Sequence, residues 1–262
     1  MTKRAEAPIG APCWIDLMTS DTAGARQFYG SLFGWEAQEP NPEYGGYFSF
    51  LRDGGEIAGC MTTPAEVPGP DVWSVYLAVE DARKSAAAAA ARGATVVAEA
   101  MDVGDLGTMA VLVDPGGAGF GLWQRKEHRG LASVYAEGAP SWFELHTRNY
   151  EPALEFYREV FGWTTQAVSD TPEFRYTVLM DGEEQLAGVM DASSFLPAGA
   201  PAKWSIYFGV GDADVALAKA AELGGAVVLE AEDTPYGRLA TAADPTGAEF
   251  KLVAPNDQMP AR

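Results

Sequence analysis

The sequence predicts an α+β protein made of four strand–helix–strand–strand–strand (βαβββ) units, paired into two tandem domains. Three observations lead there. First, the chain repeats itself at long range. Pro12-Cys13-Trp14-Ile15-Asp16-Leu17 returns 128 positions later as Pro140-Ser141-Trp142-Phe143-Glu144-Leu145. At the same offset Phe28-Tyr29 returns as Phe156-Tyr157, and Phe33-Gly34-Trp35 as Phe161-Gly162-Trp163. Farther on, Trp73-Ser74-Val75-Tyr76 returns as Trp204-Ser205-Ile206-Tyr207, and Asp114-Pro115 as Asp244-Pro245. A period this long marks a duplicated domain, not a solenoid. Second, each half runs twice through the same order of signals: an alternating strand, a capped helix, then two or three strands. Third, 262 residues suit two domains of about 100–150 residues, each with its own core.

The elements follow in order. Trp14–Thr19 alternates as a strand, Asp21 caps the helix carrying Phe28, Leu32 and Phe33, and Gly34 ends it. Tyr47–Leu51 and Glu56–Thr62 are strands around the Asp53-Gly54-Gly55 turn. Thr63–Asp71, with three prolines, reads as a connector. Trp73–Val79 opens the second unit, and Asp81 caps an alanine-rich helix ending near Gly93. Thr95–Glu99, Thr108–Val113 and Gly119–Gln124 close it. The second half repeats this with strands Trp142–Thr147, Phe174–Met180, Gln185–Asp191, Trp204–Val210, Val227–Glu230, Arg238–Ala243 and Ala248–Val253, and helices near Glu151–Phe161 and Asp212–Leu223. The expected layout is an N-terminal arm (1–12), a first domain (13–127), a linker (128–139), a second domain (140–256) and a tail (257–262).

Composition narrows the functional classes. The net charge of −19 repels phosphate backbones and anionic lipid surfaces, so neither nucleic acid nor membrane is an expected partner. A cationic small ligand would be favoured, although plain solubility explains the charge equally well. No apolar run reaches the ~20 residues that span a bilayer. Residues 1–10 lack the apolar stretch of a secretory leader, so the expected location is the cytoplasm. Two cysteines and two histidines leave little material for a structural metal site.

The four βαβββ units, the Phe-Tyr…Phe-Gly-Trp helix ends and the Asp-Pro-x-Gly turn before a final strand resemble the vicinal oxygen chelate superfamily. That group includes glyoxalase I, bleomycin- and fosfomycin-resistance proteins and extradiol dioxygenases. The resemblance covers essentially the whole chain. Trp14–Leu17, Phe28–Trp35, Asp114-Pro115 and Gly121–Gln124 are most similar to a two-domain actinobacterial branch, variously called hydroxylase, glyoxalase-like protein or culture-filtrate antigen, some of whose members accompany anthracycline biosynthesis. The resemblance implies two cup-shaped sheets. In metal-using members each cup holds a divalent ion through His, Glu or Gln on its first and last strands. The matching positions here are Trp14, Cys60, Ser74 and Gly121 in the first cup, and Trp142, Val189, Ser205 and Lys251 in the second. None is a good oxygen or imidazole ligand, and Lys251 would put a cation where a cation should bind. The expectation is therefore no metal and no other cofactor; no Gly-x-Gly-x-x-Gly stands between a strand and a helix.

Strand alternation then sorts the faces. Ile15, Leu17, Val75, Leu77, Phe120 and Leu122 should pack under helices, leaving Trp14, Asp16, Met18, Ser74, Tyr76 and Trp123 in the first cup. Trp142, Glu144, His146, Ser205, Tyr207, Glu249 and Lys251 should line the second. The first cup is aromatic and suits a flat ligand stacked on Trp14 and Trp123, with Asp16 or Tyr76 fixing a polar group. The second concentrates ionisable groups. Glu144 and His146 could serve as a general base, and Tyr207 and Lys251 could stabilise an enolate. Structural roles compete with each of these. The tryptophans could plug the cups, Glu144, Glu249 and Lys251 could pair with one another, and His146 could be a buried hydrogen-bonding residue. His128 reads as a solvated linker residue and Cys60 as a small buried hydrophobe.

Four functions remain open at this point. A metal-independent protein could bind an aromatic or cationic metabolite for resistance, carriage or biosynthesis, as a monomer or homodimer. A metal-free isomerase, cyclase or lyase could use the second cup, with Glu144, His146, Tyr207 and Lys251 as its working set; across the two cups the expected ligand contacts are Trp14, Asp16, Met18, Tyr76, Trp123, Trp142 and Glu249. The remaining two are metal-dependent glyoxalase or dioxygenase chemistry, and a structural protein with no ligand.

Overall fold

A computed structural model describes residues 2–3, 6–63 and 70–259. Most of the proline-containing connector expected at 63–71 lies outside these residues, as do parts of the arm and the tail. The first half contains β2 (Pro12–Thr19), α1 (Thr22–Phe33), β3 (Glu36–Ala37), β4 (Phe48–Arg52), β5 (Gly55–Thr62), β6 (Val72–Ala78), α2 (Ala82–Ala91), β7 (Thr95–Val103), β8 (Gly107–Val113) and β9 (Gly119–Arg125). The second contains β11 (Pro140–Thr147), α3 (Tyr150–Phe161), β12 (Thr164–Asp170), β13 (Arg175–Asp181), β14 (Glu184–Asp191), β15 (Lys203–Gly209), α4 (Ala213–Glu222), β16 (Ala226–Thr234), β17 (Gly237–Ala243) and β18 (Glu249–Ala254). Two short strands, β1 (Thr2–Lys3) and β10 (Ser133–Val134), pair with each other.

Each half forms one eight-stranded sheet, ordered β3-β4-β5-β2-β6-β9-β8-β7 and β12-β13-β14-β11-β15-β18-β17-β16. The central strands β2 and β6 run antiparallel, and each is parallel to the last strand of its own unit. β11 and β15 repeat this arrangement. These are the four paired βαβββ units that the repeat predicts.

Local chemistry sets the helix ends. Asp21, Asp81 and Asp212 each accept a bond from a backbone N–H in the first turn of α1, α2 and α4. Gly34 and Gly162 end α1 and α3 in the left-handed conformation, at φ 71° and 68°. Asp53 and Gly54 both take positive φ, as the two-residue turn between β4 and β5 requires. The edge strands differ most from expectation. β3 and β12 were not foreseen as strands, and β7 and β16 extend four residues beyond their expected ends. The reason is physical: β12 and β16 are largely exposed, so their sequences lack the apolar alternation that a buried face imposes.

The helix-side residues are buried as expected, but their partners come largely from the other half. Phe120 of the first sheet packs on Phe156, Tyr157 and Phe161 of α3. Phe250 of the second sheet packs on Phe28, Tyr29 and Phe33 of α1. The repeated Tyr and Trp motifs lock this seam. Tyr29 Oη donates to Asp244 (2.9 Å) and Tyr157 Oη to Asp114 (3.0 Å), each the Asp-Pro turn of the opposite half. Trp73 and Trp204 donate to those same two hydroxyls. Trp35 Nε1 reaches the Gly138 carbonyl, and Trp163 Nε1 reaches the Gly10 carbonyl. The duplicated motifs therefore serve docking through a pseudo-two-fold exchange, and they leave each sheet's concave side to the cup. Among the described residues no helix is long and apolar enough to cross a membrane.

Candidate functional site in the second cup

Both cups are built around one buried carboxylate that two tyrosines hold, with a tryptophan beside them. In the first, Asp16 on β2 accepts from Trp14 Nε1 (2.8 Å) and Tyr47 Oη (2.8 Å), with Tyr76 as a third donor. In the second, Glu144 on β11 accepts from Tyr176 Oη (2.6 Å) and Tyr207 Oη (2.8 Å), while Trp142 Nε1 donates to Tyr176 Oη (2.7 Å). Tyr47 and Tyr176 are the residues that the sequence reading missed. Each lies across a glycine: a Cβ on Gly59 or Gly188 would sit 1.9 Å from the tyrosine oxygen. The repeated Ala58-Gly59 and Ala187-Gly188 pairs were a legible sign that something crosses the strand there.

The register also corrects two expected ligand positions. Cys60 pairs with Leu17 and Val189 with Leu145, so both lie on the helix side of their sheets. The cup-facing residues at these places are Gly59 and Gly188, which bear no donor. Burial pushes the Cys60 thiol up to about 12, as befits a small buried hydrophobe.

Beyond the shared frame the cups diverge. The first is closed from within. His128, expected in solvent, turns inward with its side chain only 13% exposed and bonds Glu56 at 3.2 Å. Its ring meets Trp14 edge-on at 4.3 Å and Trp123 at 5.4 Å, while Trp123 Nε1 donates to the His128 carbonyl. Trp14, Asp16, Tyr76 and Trp123 are all buried, and Met18, Tyr47 and Ser74 are half-buried. The second cup carries two substitutions. Where the first has Met18, the second has His146, whose Nε2 lies 2.5 Å from Glu144. Where the first has Gly121, the second has Lys251, with Nζ 5.0 Å from the centre of the Tyr207 ring.

These substitutions reverse the electrostatics. Burial raises Asp16 above the usual carboxylate range, and its three hydrogen bonds do not offset that cost. Burial also pushes on Glu144, but the hydrogen bond and charge of His146, the charge of Lys251 and the Tyr176 hydrogen bond outweigh it and hold Glu144 at about 2. Burial pushes Lys251 below its ordinary value and raises Tyr176 and Tyr207 well above theirs. Glu249 stays outside this cluster. It is exposed and pairs with Lys203 at 2.6 Å, not with Lys251.

The second cup also has an aromatic mouth. Phe174 stacks on Tyr176 at 5.5 Å, Tyr236 lies 6.2 Å and 6.3 Å from those two rings, and Phe195 meets His146 edge-on at 5.6 Å. Phe195 and Tyr236 are 55% and 47% exposed. Trp142 is half-buried, unlike its buried counterpart Trp14.

Comparison with known proteins agrees with this architecture. Residues 14–123 match the glyoxalase-like domain family, and residues 139–252 match the glyoxalase/bleomycin resistance protein/dioxygenase superfamily. CFP32 of Mycobacterium tuberculosis, which carries a provisional glyoxylase name, is 39% identical over 98% of this chain and 100% of its own length. The chain belongs to the glyoxalase/bleomycin resistance/dioxygenase superfamily. The anthracycline biosynthesis protein DnrV of Streptomyces peucetius is 35% identical over 96% of each chain. Among solved structures, the Mn(II)-bound glyoxalase of Novosphingobium aromaticivorans shares the fold with a TM-score of 0.64 at 14% identity, over 94% of this chain and 82% of its own. The 2,3-dioxygenase LapB of Pseudomonas sp. KL28 does so at 0.63 and 15%, over 95% and 93%.

Metal-using members of this superfamily need oxygen or imidazole donors converging in the cup, and the residues here do not fit that need. Asp16 and Glu144 have their oxygens engaged by Trp, Tyr and His donors. Gly59, Gly121 and Gly188 offer nothing, and Lys251 brings a like charge. Among the described residues no group of three His, Cys, Asp or Glu side chains is placed to hold an ion.

Proposed function

We propose that this protein is a metal-independent small-molecule binder whose working cup is the second, and that its ligand is a flat aromatic metabolite. The observation that supports this most is the contrast in closure. His128 fills the first cup, whereas the second presents half-exposed Trp142, exposed Phe195 and Tyr236, and a polar floor beneath them. Aromatic side chains supply large contact area at low entropic cost, and a few fixed polar groups below them orient the ligand. Two relatives bear anthracycline biosynthesis in their names, and anthracyclines are fused aromatic systems of this shape. An accessory role in handling such a metabolite fits both facts.

The test is a titration of tryptophan fluorescence with 2-naphthamide and larger fused-ring probes. Saturable quenching that is lost in Trp142→Phe and retained in Trp14→Phe supports the reading. Quenching that follows Trp14 instead, or no saturable binding below millimolar probe, overturns it.

A second reading, proton-transfer catalysis, draws on the 2.5 Å contact between Glu144 and His146. Their geometry favours mutual pairing over base catalysis, because a carboxylate held near 2 by three donors is a weak base. Turnover of an enolisable substrate that is abolished in both Glu144→Gln and His146→Gln would restore that reading.

A further inference from the structure

Lys251 is the cation in the second cup with no hydrogen-bonded or ion-paired partner among the described residues, although the charges of Glu144 and Glu249 reach it. Glu249, two residues away on the same face, is taken by Lys203 at 2.6 Å. The Glu144 oxygens are taken by Tyr176, Tyr207 and His146. Among the described residues Lys251 Nζ has no hydrogen bond and no ion pair within 4.0 Å; its recorded neighbour is the face of the Tyr207 ring at 5.0 Å. An ammonium carries three donors and no acceptor, and a half-buried one requires oxygen atoms around it. The ring face satisfies the charge in one direction only. The remaining donors are available to whatever enters past Trp142, Phe195 and Tyr236.

We infer that the second cup selects aromatic ligands bearing an acidic oxygen (a carboxylate, phenolate or enolate), with Lys251 as the group that pairs with it. This rests on the aromatic-cup reading above and sharpens it. It also runs against the chain's overall charge of −19, which by itself would favour a cationic ligand. Contact pairing at Lys251 acts at short range, where an ion pair in a water-poor cup is screened far less than the distant surface charge, and Glu144, the near carboxylate, already has its oxygens engaged by Tyr176, Tyr207 and His146.

The experiment compares three probes on one ring system: 2-naphthoate, 2-naphthamide and 2-(aminomethyl)naphthalene. Each is titrated into the full-length protein and into Lys251→Met and Lys251→Arg, with a thermal melt to verify folding. The expected order for the unmodified protein is naphthoate tightest, by about tenfold over the amide, with the amine weakest. Lys251→Met should erase the naphthoate advantage over the amide, and Lys251→Arg should keep it. Amine and carboxylate binding alike, or a naphthoate preference that survives in Lys251→Met, overturns the inference while the aromatic cup stands. If none of the three binds, the aromatic cup itself falls and the inference with it. If Lys251→Met does not fold, the probe order in the unmodified protein and in Lys251→Arg decides the matter.

Discussion

The two cups are the same construction with their buried carboxylates shifted in opposite directions. Both surround one buried carboxylate with a tryptophan and two tyrosines; Trp14 donates to Asp16 itself, whereas Trp142 donates to Tyr176. One side chain in each supporting position separates them: Met18 against His146, and Gly121 against Lys251. Where Trp14, Tyr47 and Tyr76 supply only hydrogen bonds, desolvation wins and Asp16 is raised. Where His146 and Lys251 stand beside it, Glu144 is held at about 2. A duplicated scaffold can thus keep a buried carboxylate between two tyrosines while His146 and Lys251 in place of Met18 and Gly121 change the direction of its shift.

The most direct way to break this comparison is to neutralise each carboxylate. Glu144→Gln leaves His146 and Lys251 facing an uncharged amide, and should cost about 3–5 kcal/mol in urea unfolding. Asp16→Asn removes a group already costly to ionise, and should cost only about 1–2 kcal/mol. Equal costs would mean that cationic support is not what distinguishes the cups. The seam provides a symmetric control. Tyr29→Phe and Tyr157→Phe each strand a buried aspartate and a tryptophan N–H, so each should cost about 1–3 kcal/mol, and by similar amounts. His128→Ala should cost about 1–2 kcal/mol, from lost packing between Trp14 and Trp123, and should raise acrylamide quenching of tryptophan fluorescence.

Acid and alkaline behaviour sharpen the comparison further. Glu144 lies below its ordinary value of 4.5 in the folded state, so its contribution is fully present above 4.5 and is lost as pH falls towards about 2. Asp16 lies above its ordinary 3.8, so its contribution is present below 3.8 and fades as pH rises through the raised value. Denaturation series across pH should show the acid-side slope reduced in Glu144→Gln and the slope above 3.8 reduced in Asp16→Asn. The smallest expected effect is on metal dependence. Protein purified gently and assayed by mass spectrometry should hold far less than one equivalent of nickel, iron, manganese or zinc, and chelator should leave probe binding unchanged. A stoichiometric ion would reverse the metal-independent proposal.

The comparison also indicates which features were legible beforehand. The repeat, the aspartate caps, the Gly34 and Gly162 helix ends and the alternation of Ile15, Leu17, Phe120 and Leu122 are local or periodic, and each appears where the sequence put it. Alternation also assigned Trp14, Asp16, Tyr76, Trp142, Glu144, His146, Tyr207 and Lys251 to the concave faces. Counting failed by one residue at Cys60 and Val189, because loop lengths before β5 and β14 decide the register and leave no periodic trace.

What the sequence determined by itself was the scaffold: two copies of a sheet with one apolar face, since strand period and helix capping are written in neighbouring residues. Only the tertiary structure decided how the copies meet and which cup takes in a histidine from the linker. Tyr29 finds Asp244, Trp163 finds Gly10 and His128 enters the first cup because distant segments compete for the same buried donors and the same volume. That competition is settled by packing the whole chain, and no window of sequence contains it.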